Sequence, residues 1–515
     1  MDKQSSFERI LTAAEMSRFD RETIEYVGVP SLVLMERAAL AVVDAMEQAE
    51  YDLSDVLVLC GSGNNGGDGF AIARILRERG YHSHIFYHGK PDFSTMTKDT
   101  RAQKEICDNY QIPVESDINK CTEYVTAVVD ALFGIGLNRP LDEKTCGIVN
   151  FVNKELRPEG VRVISVDIPS GIAADTGKVM GAAIRADLTV TFAYRKLGHV
   201  LYPGTKYAGR VICADIGIAK HIAGRIRPEC MVLTDAVLPA VKRKPDSHKG
   251  TYGKALIIAG SEGIGGCALL AAKACFMTGA GMVRVFTHRA NRDMILGHLP
   301  EAMVDTYSDD KEKDGGSSFD KARFLAALAW ADVIGIGPGI GFSEAAKEML
   351  SLVLTECSKP LLADADAIAL LKDHEDYLTG NETRDIIITP HIGELARFLE
   401  VDRSLVIDDF VHVAKNVAER FHLVCVLKDA RTVITKPDFG YRLNLTGNNG
   451  MASAGMGDTL FGIILGLLAQ GTGAFHAAAL GAYIHGYAAD RAIEETGKSG
   501  LLASDVIKYL KYCLE

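Results

Sequence analysis

The densest cluster of chemistry-bearing residues is Thr446-Gly-Asn-Asn-Gly-Met-Ala-Ser-Ala-Gly-Met-Gly-Asp458, which runs directly into an apolar stretch over residues 460–469. The pattern predicts a glycine-dense loop feeding a helix, with the Asp458 carboxylate in its first turn. Backbone N–H groups at a helix start lack intrahelical partners and carry partial positive charge, so they suit phosphate. Gly455 and Gly457 let the main chain approach such a ligand with no Cβ in the way. An aspartate there can take a proton from an attacking hydroxyl while the N–H groups steady the transferring phosphoryl group. The plainer alternative makes Asp458 an N-terminal cap. Gly447, Gly450, Gly455 and Gly457 are more glycine than a cap needs, which favours phosphate.

Three loops of the first half also gather polar oxygen: Asn64, Asn65 and Asp68, then Asp130, then Asp167 and Ser170. Each follows or ends a strand-like run, and in a parallel sheet such ends converge on one edge. Two carboxylates with amide and hydroxyl oxygens suit a hard cation, and a spare carboxylate can shuttle protons. Any one of these acids alone reads more naturally as a turn cap; all three loops together favour a site. Gly61-x-Gly63-x-x-Gly66 satisfies the dinucleotide fingerprint, but no acid follows at the end of the next strand before Asp92. A standard dehydrogenase cofactor site is therefore doubtful.

The elements that must position these groups alternate strand and helix. At 515 residues the chain exceeds one core, so two α/β domains are expected, 1–225 and 226–515. In the first, strands are expected at 55–60, 81–87, 126–132, 161–166, 188–193 and 210–214. A capping box at Thr12 and Glu15 opens a helix, and further helices are expected at 31–46, 70–79, 95–109 and 144–156. Residues 233–238 with Lys242-Arg-Lys-Pro245 read as a connector. In the second, strands are expected at 254–259, 282–287, 332–336, 360–362, 386–388 and 423–427. Helices are expected at 267–279, after Asp458, at 473–494 and at 504–513. The polar stretch 308–318 reads as a mobile loop, and the halves show no convincing repeat.

A net charge of −11, from 56 basic and 67 acidic residues, argues against nucleic acid as a partner. The eleven cysteines form no C-x-x-C pair, so neither a cysteine zinc site nor a disulfide framework is expected, and reduced cytoplasmic thiols fit best. The start carries no signal-type apolar run, and no apolar segment is long enough for a membrane span.

Asn64-Asn-Gly-Gly-Asp-Gly69, Asp130-Ala-Leu-Phe-Gly-Ile-Gly-Leu-Asn-Arg-Pro140 and Val166-Asp-Ile-Pro-Ser-Gly171 resemble the signature loops of the NAD(P)H-hydrate epimerases. The resemblance implies a Rossmann-like three-layer α/β/α domain and a potassium ion held by Asn65, Asp130 and Ser170. It implies contacts to the hydrated nicotinamide nucleotide from Asn64, Asn65, Gly66, Gly67 and Asp68. Further contacts would come from Gly134, Ile135, Gly136, Leu137, Asn138, Arg139 and Pro140, and from Asp167, which takes the acid–base role at C6.

In the second half, Gly455-x-Gly-Asp458 resembles the anion-hole motif of the ribokinase-like superfamily. His248-Lys-Gly-Thr-Tyr-Gly253, Ile334-Gly-Ile-Gly-Pro-Gly339, Thr389-Pro-His-Ile-Gly-Glu394 and Asn448-Asn-Gly-Met-Ala452 are similar to its ADP/ATP-dependent NAD(P)H-hydrate dehydratases. The resemblance implies a ribokinase-like α/β/α domain in which Asp458 engages the substrate hydroxyl. Gly339 and His391 would meet the nicotinamide hydrate, and Cys267 stands where the family usually has alanine. Lys428, Asp429, Ala430, Arg431 and Thr432, with Asn448, Asn449, Gly450, Gly455, Met456 and Gly457, would hold the nucleotide. ADP, or ATP in its place, is the implied co-substrate, with Mg2+; a homo-oligomer is expected.

Three further positions depart from the family pattern: Asp429 for glycine, Ala454 for glycine and Met456 for threonine. They predict altered nucleotide contacts, with φ restricted at Asp429 and a phosphate-touching hydroxyl lost at Met456. Two other readings are a ribokinase-like small-molecule kinase and a non-enzymatic binding module with a degenerate second site.

Overall fold

This computed structural model describes residues 6–121, 124–222, 226, 228–238, 243–308, 319–381 and 383–514. Residue 225, Lys242 of the basic connector and residues 309–318 of the polar stretch lie outside them. The described residues form two compact units, Arg9–Glu229 and residues 230–514 with residues 6–8.

In the first unit, seven strands form one parallel sheet: β1 (Asp55–Cys60), β2 (His82–Tyr87), β3 (Val114–Glu115), β4 (Ala127–Ala131), β5 (Arg162–Val166), β6 (Leu188–Phe192) and β7 (Arg210–Ala214). Their order, β3-β2-β1-β4-β5-β6-β7, is that of the doubly wound dinucleotide-binding sheet, whose crevice opens where the order reverses, between β1 and β4. The central strands are continuous Val/Leu/Ala runs because both faces are covered; Val56, Val58, Val129 and Ile164 belong to one apolar cluster and Leu57, Leu59, Val128 and Val163 to another.

Helix α1 (Ala13–Glu22) opens with the expected capping box: Glu15 N donates to Thr12 Oγ1 (3.2 Å) and Thr12 N to the Glu15 carboxylate (2.8 Å). It ends sooner than expected, in a π-turn over Thr23–Val27 closed by Gly28 at φ 88°. Helix α2 is Ser31–Gln48. Helix α3 (Asn64–Glu78) starts inside the glycine loop rather than at residue 70. A Cβ at Gly66 would stand 1.9 Å from the Gly61 carbonyl oxygen, and one at Gly69 2.7 Å from Ala131 Cβ. Those glycines let the helix's first turns press onto β1 and β4.

The second unit repeats the winding. Its strands are β8 (Cys230–Leu233), β9 (Lys254–Ile258), β10 (Met282–His288), β11 (Met303–Tyr307), β12 (Val333–Ile336), β13 (Leu361–Ala363), β14 (Ile386–Ile388), β15 (Val424–Leu427), β16 (Thr432–Thr435) and β17 (Tyr441–Asn444). They run β11-β10-β9-β12-β13-β14-β15-β16-β17-β8. Three parts were not expected: the edge strand β11 is one of them. The antiparallel pair β16–β17 follows the parallel strands, and β8 occupies part of the expected connector. Helices α4 (Gly266–Thr278), α5 (Ile392–Leu399), α6 (Met456–Ala469), α7 (Ala474–Thr496) and α8 (Ala503–Tyr509) complete the site's frame. Helix α6 is apolar on every side because it is buried against α4, where a Cβ at Gly462 would stand 2.2 Å from the Ala271 carbonyl oxygen.

Candidate active sites

The first site lies at the carboxyl ends of β1, β4, β5 and β6, in a cavity of about 1010 Å³ within the first unit. Asn64, Asn65, Asp68, Arg139, Pro140 and Asp167 line it, as do Gly134, Ile135, Gly136 and Leu137. Asn138 is exposed in the same loop but is not among the lining residues. Gly66 and Gly67 do not line it either: they are buried in the packing of α3, where a Cβ at Gly67 would meet Met35 Cε at 2.6 Å.

Asp167 sits at φ 65°, a strained value for a non-glycine residue, and is only 8% exposed. Its Oδ1 accepts from Lys196 Nζ (2.6 Å) and Thr191 Oγ1 (2.9 Å), while Lys196 Nζ also donates to Thr191 Oγ1 (2.8 Å). His199 closes the arrangement, accepting from Lys196 N at Nδ1 (3.0 Å) and donating from Nε2 to the Asp167 carbonyl (2.8 Å). Burial drives the His199 pKa down to about 4, so the ring is neutral at pH 7. Burial alone would raise the Asp167 pKa, but the Lys196 charge and hydrogen bond win and hold it below the ordinary carboxylate value. Two other cavity acids go the opposite way. Burial and then the Asp167 charge push Asp20 up to about 6, and burial with the charges of Asp167 and Asp20 pushes Asp68 well above its ordinary value.

Beside this pair, Asp130 is fully buried and takes hydrogen bonds from Ser165 Oγ (2.8 Å), Ser170 N (2.8 Å) and Ser170 Oγ (2.5 Å). Ser170 Oγ accepts from Phe133 N (2.9 Å), and a Cβ at Gly134 would stand 3.1 Å from Asn65 Oδ1. Asn65 thus meets the same Phe133–Gly134 turn that Ser170, bound to Asp130, holds from the other strand end. Asn65 Nδ2 is buried with no hydrogen-bond partner, and an amide turned over would present its oxygen there. The donor set is all oxygen, as an alkali cation requires.

The second site is built on the start of α6. Gly455 precedes it at φ 86°, and no side chain caps the helix. Asp458 therefore does not cap α6; it stands in the first turn. A Cβ at Gly457 would lie 3.6 Å from Lys428 Nζ and 3.8 Å from Asp364 Oδ2, so glycine there leaves the Lys428–Asp364 pair open. Lys428 Nζ donates to Asp364 Oδ1 (2.9 Å), which also accepts from Thr389 Oγ1 (2.7 Å). Burial, then the Asp364 charge, raises the Asp458 pKa to about 6 against the lowering pull of Lys428. Burial would lower the Lys428 pKa, but the charges of Asp364 and Glu394 more than offset it.

Gly339, at φ 59°, faces Cys267, whose Sγ would be 2.8 Å from a Cβ there. Burial pushes the Cys267 thiol up to about 12. His391 caps α5: Nδ1 accepts from Gly393 N (2.9 Å) and Glu394 N (3.2 Å), and the exposed ring is left with Nε2–H. Asp490 holds the 447–450 loop, accepting from Gly447 N (2.8 Å) and Asn448 Nδ2 (2.9 Å), with Asn449 and Gly450 in the following turn. Asp429 and Ala430 are exposed beyond β15, Arg431 reaches the Leu445 carbonyl (3.5 Å) and Thr432 opens β16.

Two departures carry less than the sequence suggests. Asp429 is not at positive φ, so no glycine is needed there. Met456 is 6% exposed with its side chain in the core, leaving only its main chain for a ligand. Sequence reading missed Lys196 and Asp20 in the first site and Asp364 as a site acid in the second. Ala363-Asp-Ala-Asp366 had the strand-end signal for Asp364; Lys196 follows the end of β6 but has no glycine loop beside it.

The family profile described as NAD(P)H-hydrate dehydratase matches residues 255–512, and that of the YjeF-related protein N-terminus matches residues 31–198. The bifunctional NAD(P)H-hydrate repair enzyme Nnr of Moorella thermoacetica is 37% identical, covering 98% of this chain and 96% of its own. The enzyme of the same description from Escherichia coli is 34% identical, covering 97% and 92%. Among solved structures, an ADP/ATP-dependent NAD(P)H-hydrate dehydratase from Bacillus subtilis, co-crystallized with ATP/Mg2+, matches at 32% identity. Its TM-score is 0.47, over 54% of this chain and 96% of that one. With relatives of this identity matching nearly end to end, the chain belongs to the bifunctional NAD(P)H-hydrate repair enzymes, which join an epimerase and a dehydratase.

Proposed function

We propose that residues 1–225 interconvert the R and S hydrates of NADH and NADPH, and that residues 226–515 dehydrate the S form with ADP, giving AMP and phosphate. The observation that carries this reading is Asp458: a carboxylate with its pKa raised to about 6, in the first turn of an uncapped helix. That value lets it accept a proton from the substrate's C6 hydroxyl near neutral pH. The free N–H groups of the first turn and Lys428 steady the transferring phosphoryl group. Once phosphorylated, the C6 oxygen leaves as phosphate far more readily than as hydroxide. A proton lost from C5 then restores the ring double bond. Mg2+ arriving with the nucleotide would supply charge neutralisation at the phosphates, with Asp364, beside Gly457 and Asp458, as the carboxylate to hold it.

In the first site, Asp167 is the acid–base group at C6. Lys196 keeps it ionised, and Thr191 with His199 fixes its orientation. Asn65, Asp130 and Ser170 would hold potassium, whose charge steadies the anionic substrate and the buried Asp130 carboxylate. Replacement of Asp458 by Asn tests the assignment: ADP-dependent recovery of reduced nicotinamide is lost while epimerisation persists. Retention of the wild-type dehydration rate would refute it.

A further inference from the structure

At the opposite end of the first sheet, away from the cavity, Asp55 begins β1 and His82 and His84 begin β2. Asp55 pairs with His82 in register, and Leu57 with His84. Side chains two apart in a strand, and those of directly paired residues, share a face. All three therefore project to one side, and one ligand atom from each lies within 4.8 Å of the others. His82 Nδ1 is 2.7 Å from Asp55 Oδ2.

His84 carries the more telling geometry. Its Nε2 lies 2.9 Å from the Cys121 carbonyl, which only accepts, so Nε2 bears a proton. Its Nδ1 lies 3.1 Å from Asp55 Oδ1, yet that buried oxygen makes no hydrogen bond. His84 Nδ1 is thus aimed at a buried carboxylate oxygen that has no hydrogen-bond partner. A histidine anchored through one nitrogen to a backbone carbonyl, with the other aimed at a neighbouring carboxylate, has the orientation of a metal ligand.

We propose that Asp55, His82 and His84 form a divalent transition-metal site of the zinc class, with a fourth position open to solvent. Two imidazoles and a carboxylate are the donors such an ion takes. His82 is the solvent-facing ligand, its side chain 52% exposed against 13% for His84 and 20% for Asp55. Bound metal would clip the amino ends of β1 and β2 together, stabilising the first unit without entering the chemistry at the carboxyl ends.

The test is titration of the full chain with Zn2+ alone, after alkylating the exposed thiol of Cys213 so that it does not compete. One ion per chain should bind and raise the unfolding temperature. His82→Ala, at an exposed position, should weaken that binding by about 10- to 100-fold or more. Zn2+ should also shift the ring-proton resonances of both His82 and His84 in wild type. Absence of binding, equal affinity in His82→Ala, or unmoved histidine resonances would each overturn the site and leave an ordinary aspartate–histidine ion pair.

Discussion

The two units wind their sheets in the same order, β3-β2-β1-β4-β5-β6 and β11-β10-β9-β12-β13-β14, and each places a lysine against an aspartate near the strand ends. They use that pair in opposite ways. In the first, Lys196 binds the proposed reactive carboxylate itself, 2.6 Å from Asp167, and holds it ionised. In the second, Lys428 binds Asp364 at 2.9 Å, and the proposed reactive carboxylate, Asp458, stands beside the pair with its proton affinity raised. The strand order sets where each site lies; the aspartate that the lysine contacts sets which carboxylate is held ionised and which has its proton affinity raised.

The largest effect should come from Asp458→Asn. Loss of a positioned base costs about 10²- to 10⁴-fold, read as ADP-dependent recovery of the S hydrate, with epimerisation untouched. The same variant should be more heat-stable than wild type at pH 7. Asp458 has an ordinary pKa of 3.8 when unfolded and about 6 when folded, so stability is lost as pH rises between those values. Below pH 3.8 the melting temperatures should converge.

Next is Lys196→Met. It leaves Asp167 buried and unpaired, which costs about 3–5 kcal/mol in unfolding free energy and should abolish epimerisation. Lys428→Met likewise strips the charge partner from buried Asp364, so it should cost about 3–5 kcal/mol in unfolding free energy and slow dehydration. Because Lys428 lowers the Asp458 pKa, its loss moves the acid limb of the dehydration pH profile upward from about 6. The smallest effects belong to the departures from the family pattern. Met456→Thr should cost about 2–3 kcal/mol as a core truncation and gain no nucleotide affinity. Asp429→Gly should stay within about 0.5 kcal/mol of wild type in stability.

What the sequence revealed follows from the range of each interaction. Asp458 was legible because its glycine loop, its helix and its carboxylate are contiguous. Asp130, Asp167 and Ser170 were legible because a parallel sheet brings its strand ends together. Lys196 was not: it lies 29 residues beyond Asp167 and just past the end of β6, and with no glycine loop to mark it only tertiary packing joins the two. Asp364 lies 64 residues before Lys428, so its strand-end position could be seen but not its partner. The start of α3 was misplaced because glycine density reads as loop, whereas here close packing on β1 and β4 outweighs glycine's poor helix propensity. Met456 was misread because its side chain faces the core rather than the loop.

The most direct test of the division of labour follows the near-ultraviolet absorbance of reduced nicotinamide with mixed-epimer NADH hydrate and ADP. Wild type should recover the whole mixture faster than spontaneous epimerisation allows. Asp167→Asn should recover the S fraction at the wild-type rate and then stall, and Asp458→Asn should recover nothing. Recovery by Asp458→Asn at the wild-type rate, or full rapid recovery by Asp167→Asn, would contradict the account.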